Sequence, residues 1–89
     1  MNLSSPDLAT SLRSLLADLL GRELRIPPHE VDPARALTSY GLDSIAALTV
    51  SGELEERLGL ELEPTLLWDC PTIDAIADHL AGHLAARAA

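Results

Sequence analysis

Residues 41–59 read GLDSIAALTVSGELEERLG, and their apolar residues recur at the spacing of a helix. Asp43 is a favourable N-cap residue, which places Ser44 at the first helical position. Gly59 suits the left-handed conformation in which many helices end. These two end signals predict a helix over residues 44–58.

This helix carries apolar residues on two faces. One arc of about 80°, at 100° per residue, is expected to face the core. It consists of Ala47, Val50, Leu54 and Leu58. Ile45 and Leu48 point nearly opposite that arc, on the side of the helix that also carries Gly52 and two glutamates.

Two interpretations of the second face stay open. Ile45 and Leu48 either pack under the preceding loop or the following short helix, or they form an exposed docking patch beside Ser44. In the second interpretation, nearby carboxylates steer basic partner enzymes toward the patch. The carboxylates expected to do so are Glu53, Glu55 and Glu56. Gly52 costs about 1 kcal/mol relative to alanine in mid-helix, so we expect it to mark a close contact.

The sequence on either side predicts two more main helices and one short helix. The first covers residues 6–24, with Ser5 as its N-cap. Its apolar stripe is Leu8, Leu12, Leu15, Leu16 and Leu19. A short helix is expected at about residues 65–69, and a last helix at about residues 73–86 with Thr72 as its N-cap. The stripe of the last helix is Ile73, Ile76, Ala77, Leu80 and Leu84.

A long connection, residues 25–43, joins the first two main helices and contains Pro27, Pro28 and Pro33. Most connections in a compact domain are about 4–6 residues long, and much longer ones are typically functional. Three isolated apolar residues are expected to anchor this connection to the core: Ile26, Val31 and Leu37.

The composition favours packed helices over a sheet. The chain has 89 residues, 47 % of them hydrophobic, but Trp68 and Tyr40 are its only aromatic residues. A core of Leu, Ile, Val and Ala is typical of helices, whereas sheets are rich in β-branched and aromatic residues. We predict an all-α fold: one domain, residues 1–89, folded as a small antiparallel-type bundle of three main helices plus one short helix.

The formal net charge of −8, from fourteen acidic and six basic residues, narrows the classes of partner. Such a field repels nucleic acid and anionic membrane surfaces and attracts basic patches on proteins. No apolar run approaches membrane-spanning length, and no charged segment leads into an apolar signal. The single cysteine, Cys70, cannot form an internal disulfide, which fits a reducing compartment. We expect a cytoplasmic monomer that binds neither nucleic acid nor membrane.

Other residues that could carry chemistry have simpler explanations. His79 and His83 have the spacing of a helical metal pair, but no third ligand is evident, so we expect surface histidines and no metal site. Cys70 has no nearby Lys or Arg to lower its pKa, and we expect it to be a packed small residue. Ser44 is not predicted to be a catalytic nucleophile, because the glycines of a nucleophile elbow are missing on both sides of it.

Residues 41–45, GLDSI, permit two interpretations from the residues alone. Either Asp43 and Ser44 only cap a helix, or Ser44 bears a phosphodiester, since free N–H groups and the helix dipole favour an anion there. The segment resembles the Gly-x-Asp-Ser-Leu attachment motif of acyl carrier proteins, the polyketide-synthase type in particular, with isoleucine in place of the commoner leucine. The resemblance continues through residues 64–69 (PTLLWD) and 71–73 (PTI), and it covers almost the whole chain.

The resemblance implies that a phosphopantetheinyl transferase attaches 4'-phosphopantetheine from coenzyme A to Ser44, in a site that includes Gly41 and Asp43. The thiol of that group would hold acyl intermediates as thioesters for an acyl-loading enzyme, a ketosynthase or other enzymes of polyketide or lipopeptide biosynthesis. The chain would then be a carrier and not an enzyme. Two alternatives stay open: a peptidyl carrier domain of a nonribosomal peptide synthetase, and an unmodified helical interaction adaptor.

Overall fold

The computed structural model describes the backbone of residues 6–88 and the side chains of residues 7–86. Its α-helices are α1 (Pro6–Leu24), α2 (Ser44–Leu58), α3 (Leu66–Asp69) and α4 (Ile73–Ala88). The predicted all-α fold with three main helices and one short helix is confirmed. Residues 6–88 contain no strand, and none of their helices is long and apolar enough to cross a membrane. The N-cap predicted at Ser5 lies outside the described residues.

Two helix ends differ from the sequence prediction. α3 begins one residue later, because Thr65 has φ −90° and ψ 5° and lies just before the helix. α4 continues to Ala88, beyond the predicted end at residue 86. The two added residues are an arginine and an alanine, both of which have high helix propensity.

The apolar stripes of the three main helices meet in one core. The predicted stripe residues of α1 and α4 that are buried are Leu12, Leu16, Leu19, Ile73, Ile76, Ala77 and Leu80. α2 contributes Ala47, Val50 and Leu54 as predicted, and Leu58 packs against this core. α1 packs against α4, where the Nε atom of Arg13 lies 2.8 Å from Oδ1 of Asp74.

The long connection contains two 3₁₀ turns, Pro28–Glu30 and Leu37–Tyr40, that were not predicted. Both turns are too short to show helical periodicity in the sequence. The predicted anchors do reach the core: Val31 and Leu37 are buried, and Ile26 packs against it.

Backbone hydrogen bonds tie this connection to the beginning of α4. The N–H of Leu37 donates to the carbonyl of Pro71 at 2.8 Å, and the N–H of Asp74 donates to the carbonyl of Pro33 at 3.0 Å. The two bonds restrain the connection on either side of its middle. They therefore help to fix the position from which the chain enters α2.

Candidate functional site

A left-handed turn and a capping carboxylate set the start of α2. Gly41 has φ 90° and ψ 20°, a conformation that glycine adopts without steric cost. Leu42 is buried and anchors the chain between the turn and the helix. Asp43 is extended, and its Oδ1 accepts a hydrogen bond from the N–H of Ala46 at 2.8 Å. Asp43 is therefore the N-cap, as the sequence indicates.

Ser44 is the first residue of α2, and its side chain is exposed. Its hydroxyl has no hydrogen-bond partner among the described residues. The first turn of a helix leaves backbone N–H groups without intrahelical partners, and the helix dipole makes this end favourable for an anion. The residues present therefore fit the phosphodiester of a 4'-phosphopantetheine group: the attachment oxygen is accessible and anion-binding donors lie beside it.

The turn before Gly41 is held by polar contacts that the sequence patterns did not reveal. The hydroxyl of Tyr40 accepts a hydrogen bond from the N–H of Asp32 at 2.8 Å. The guanidinium carbon of Arg35 lies 4.4 Å from the centroid of the Tyr40 ring, and its Nε donates to Oγ of Ser39 at 2.7 Å. These contacts order the 3₁₀ turn that leads to Ser44. In the sequence, the only signal for these contacts is the aromatic residue Tyr40 next to the glycine turn at Gly41.

The second face of α2 is exposed next to this serine. Ile45 is 76 % exposed and Leu48 is 55 % exposed. Neither side chain is covered by the long connection or by α3, so the packing interpretation is wrong. Trp68 of α3, at 40 % exposure, is the other large apolar side chain at the surface of residues 7–86. Docking through Ile45 and Leu48 stays a prediction.

The three glutamates expected to steer partners have different surroundings. An Oε2 atom of Glu53 lies 3.9 Å from Nη1 of Arg22 on α1, and Glu53 is half-buried. Oε2 of Glu55 accepts a hydrogen bond from the N–H of Leu62 at 3.2 Å. Glu56 is exposed and has no partner among the described residues. Of the three glutamates, Glu56 is therefore the first candidate for steering partner enzymes, because its charge faces solvent without local compensation.

Gly52 does not mark a close contact within this chain, so that expectation is wrong. It is exposed on α2, and a Cβ atom built on it would meet nothing within 4 Å. The helix has room for a side chain at this position.

A cavity of about 290 Å³ lies apart from this site, between the segment after α2, α3 and α4. Its lining residues are Glu61, Leu62, Glu63, Leu66, Asp69, Cys70, His79 and His83. Ser44 is not one of them. Its volume lies just below the usual range for ligand sites, about 300–1,000 Å³.

Cys70, His79 and His83 line this cavity without forming a metal cluster. The ring centroids of the two histidines lie 6.4 Å apart, and no group of three or more potential ligands occurs among the described residues. Burial raises the pKa of the Cys70 thiol, and the neighbouring Asp69 carboxylate raises it further. Since the thiolate is the nucleophilic form, neither effect activates the thiol. Cys70 is partly buried and packs against the core, as expected of a packed small residue.

Comparison with known proteins gives matches over most of the chain. Residues 11–80 match the model of the family described as "Phosphopantetheine attachment site". The chain is 31 % identical over 83 residues, 93 % of its length, to a phenolphthiocerol/phthiocerol polyketide synthase subunit of Mycobacterium tuberculosis. It is 36 % identical over 80 residues, 89 % of its length, to the 6-methylsalicylic acid synthase of Aspergillus terreus. The aligned region is 4 % of each of these two proteins.

A solved structure matches at nearly full length. This is a free-standing peptidyl carrier protein from an uncharacterized secondary metabolic pathway of Acinetobacter baumannii. The two chains are 50 % identical, and their structures superpose with a TM-score of 0.83 over 85 % of this chain and 95 % of the other.

Proposed function

This chain belongs to the phosphopantetheine attachment-site family, whose domains carry the phosphopantetheine group and are not themselves catalytic, and we propose that Ser44 is the residue that bears this group here. The observation that carries the proposal is the position of Ser44. It is the first residue of α2, it is exposed, and its hydroxyl has no competing hydrogen bond among the described residues.

The neighbouring residues have defined roles in this proposal. Asp43 caps the helix and so fixes the orientation of Ser44, while Gly41 turns the chain toward it. A phosphopantetheinyl transferase would join Oγ of Ser44 to the phosphate that carries the pantetheine arm of coenzyme A. The pyrophosphate bond of coenzyme A breaks in that exchange, so that its nucleotide part leaves with the other phosphate, and the hydroxyl of Ser44 loses its proton. When bound, the group supplies a thiol that holds a cargo as a thioester.

Cargo and partners follow from the same role. We propose an acyl cargo handed between an acyl-loading enzyme, a ketosynthase or other biosynthetic enzymes, because the Mycobacterium tuberculosis relative matched above is named a polyketide synthase. Partner enzymes that act at Ser44 would approach the exposed face of α2 that carries Ile45 and Leu48. Glu56 would supply most of the steering negative charge there, and Glu55 would come second. We propose that the chain works as a monomer.

A peptidyl carrier is the second candidate function. The observation that favours it is the 50 % identity to a free-standing peptidyl carrier protein, over 95 % of that chain. The two functions differ in the cargo. If the cargo is an acyl group, protein purified from its native host should carry a thioester, and the acid released from that thioester should contain no amino nitrogen. An aminoacyl or peptidyl acid would establish the second function instead.

The attachment itself is tested by coexpression with a promiscuous phosphopantetheinyl transferase. We expect the intact mass to rise by one phosphopantetheine group in the wild type and in Ser14→Ala, which removes an exposed serine of α1. Ser44→Ala should keep the mass of the unmodified chain and the wild-type circular dichroism spectrum. Modification of Ser44→Ala would refute the assignment, and an unmodified wild type would favour the adaptor alternative.

A further inference from the structure

We propose that Tyr40 is a positioning residue for the attachment reaction. Its side chain lies at the centre of a group of polar contacts, here called the Tyr40 cluster, which fixes the chain just before α2 and thereby the place of the Ser44 hydroxyl. The cluster consists of Asp32, Arg35, Ser39 and Tyr40. The inference rests on the proposed function, because it concerns the transfer of phosphopantetheine to Ser44. Tyr40 acts through the three residues between them and not on the reacting atoms.

The Tyr40 hydroxyl closes a loop of the long connection. It accepts a hydrogen bond from the N–H of Asp32 at 2.8 Å, and the two residues lie eight positions apart in the chain. The Tyr40 side chain is half-buried and packs against the core. The Asp32 end is itself restrained, because the carbonyl of Pro33 accepts a hydrogen bond from the N–H of Asp74 on α4. One side chain therefore joins the residue before Gly41 to a segment that α4 holds in place.

The guanidinium of Arg35 adds further contacts to this loop. Its central carbon lies 4.4 Å from the centroid of the Tyr40 ring, inside the limit of about 6 Å for a cation–π interaction. Its Nε donates to Oγ of Ser39 at 2.7 Å, and its Nη2 donates to the carbonyl of Ser39 at 3.5 Å. Arg35 and Ser39 are exposed, so these contacts order the turn without adding to the core.

Gly41, where the ordered turn ends, makes the position of Ser44 depend on the Tyr40 cluster. Gly41 has φ 90°, and its N–H donates to the carbonyl of Thr38 at 3.1 Å. A glycine adopts many backbone conformations at little cost, so contacts from outside must select this one. Only two residues separate Gly41 from Ser44. Because a displacement of about 1 Å at a reacting atom can slow a reaction by about 100-fold, a looser turn should slow the transfer even when the enzyme still binds.

Arg35 separates positioning from electrostatic steering. The net charge of −8 favours basic partners. Arg35→Gln makes the chain more negative, so steering alone predicts that a basic enzyme associates at least as fast as with the wild type. Positioning predicts a slower transfer step from the same substitution. The two explanations therefore give different results for one variant.

The test measures single-turnover transfer by a phosphopantetheinyl transferase in excess, with coenzyme A as donor. It compares Tyr40→Phe and Arg35→Gln with the control Arg25→Gln, which removes an exposed arginine outside the cluster. Tyr40→Phe and Arg35→Gln should each lower the rate constant at saturating transferase by about three- to tenfold, a part of the loss that a full displacement would cause. The transferase concentration at half-saturation should stay at the wild-type value, because no contact with the enzyme is removed. Arg25→Gln should keep the wild-type value of both quantities.

Amide hydrogen exchange reports the order of the turn without the enzyme. The N–H of Gly41 should exchange faster in Tyr40→Phe than in the wild type, because opening of the turn breaks its hydrogen bond to Thr38. The urea midpoint should change little, since the hydrogen bond that is lost is exposed and the freed N–H of Asp32 can bond to water. A residue with only a structural role would lower the midpoint and leave the rate constant of the folded protein unchanged.

Wild-type rate constants in Tyr40→Phe and Arg35→Gln would overturn the positioning role, even with faster exchange at Gly41. A higher half-saturation concentration at the wild-type rate constant would also overturn it, because Tyr40 would then be a contact for the enzyme. Modification of the wild type at Ser44 in the same assay keeps these results separate from the proposed function. If the wild type itself were not modified, the attachment proposal would fail and the positioning role would fail with it.

Discussion

Leu48→Ala tests whether the exposed face of α2 is a surface or part of the core. Leu48 is 55 % exposed, so folding removes a little under half of its accessible surface from water. Full burial of a leucine side chain contributes about 1.5–3 kcal/mol, so the substitution should lower the free energy of unfolding by about 1 kcal/mol or less. Leu54→Ala is the matched control, since Leu54 lies on the same helix and is 0 % exposed. It should cost about 2–5 kcal/mol.

Urea denaturation of both variants measures these free energies, with the slope of each transition as a check on two-state behaviour. The same proteins then enter the transferase assay. Leu48→Ala should lower kcat/KM at both low and high salt, because an apolar contact is not screened by ions. A loss of stability like that of Leu54→Ala would place Leu48 in the core and refute the docking surface. If Leu48→Ala kept both the stability and the kcat/KM of the wild type, Leu48 would be a surface residue, and only its role in docking would be refuted.

Three further substitutions test the N-cap of α2, a charge on its surface and a polar group in its core face. Asp43→Ala should lower the free energy of unfolding by about 0.5–2 kcal/mol and slow modification, because it removes the N-cap; an unchanged urea midpoint would contradict the capping role. Glu56→Lys should slow association with the transferase most at low ionic strength, where the Debye length exceeds about 10 Å, and more than the control Glu53→Lys; equal effects in stopped-flow measurements would contradict the steering order. Ser51→Ala should raise the free energy of unfolding by about 1 kcal/mol, because the Ser51 hydroxyl is buried without a partner. A lower urea midpoint for this variant would mean that the hydroxyl is hydrogen-bonded after all.

Features set by neighbouring residues could be predicted from the sequence. α2 spans Ser44–Leu58 as predicted, because Asp43 and Gly59 end it through contacts within one turn. The core stripes of α1, α2 and α4 follow from helical spacing, which is also local. For the same reason, the angle between residues predicts that Ile45 and Leu48 point away from the core stripe, whereas their exposure to solvent is shown only by the structure.

Features set by distant residues could not be predicted in this way. Glu53 approaches Arg22 of α1, and Glu55 accepts a hydrogen bond from the segment after α2, so both carboxylates have partners in elements that no pattern within α2 describes. Ser51 occupies a core position that the hydrophobic pattern omits, since a serine does not count as apolar. The close contact expected at Gly52 is not present. The expectation was wrong because helix propensity gives the free-energy cost of a glycine in a helix and not the reason why a glycine is there.

The site of modification is the central claim, and peptide mapping tests it most directly. Trypsin cleavage after Arg35 and Arg57 releases residues 36–57, a peptide that contains Ser39, Ser44 and Ser51. After treatment with the transferase and coenzyme A, fragment ions of this peptide should place the whole added mass on Ser44. Added mass on Ser39, Ser51 or another peptide would contradict the account.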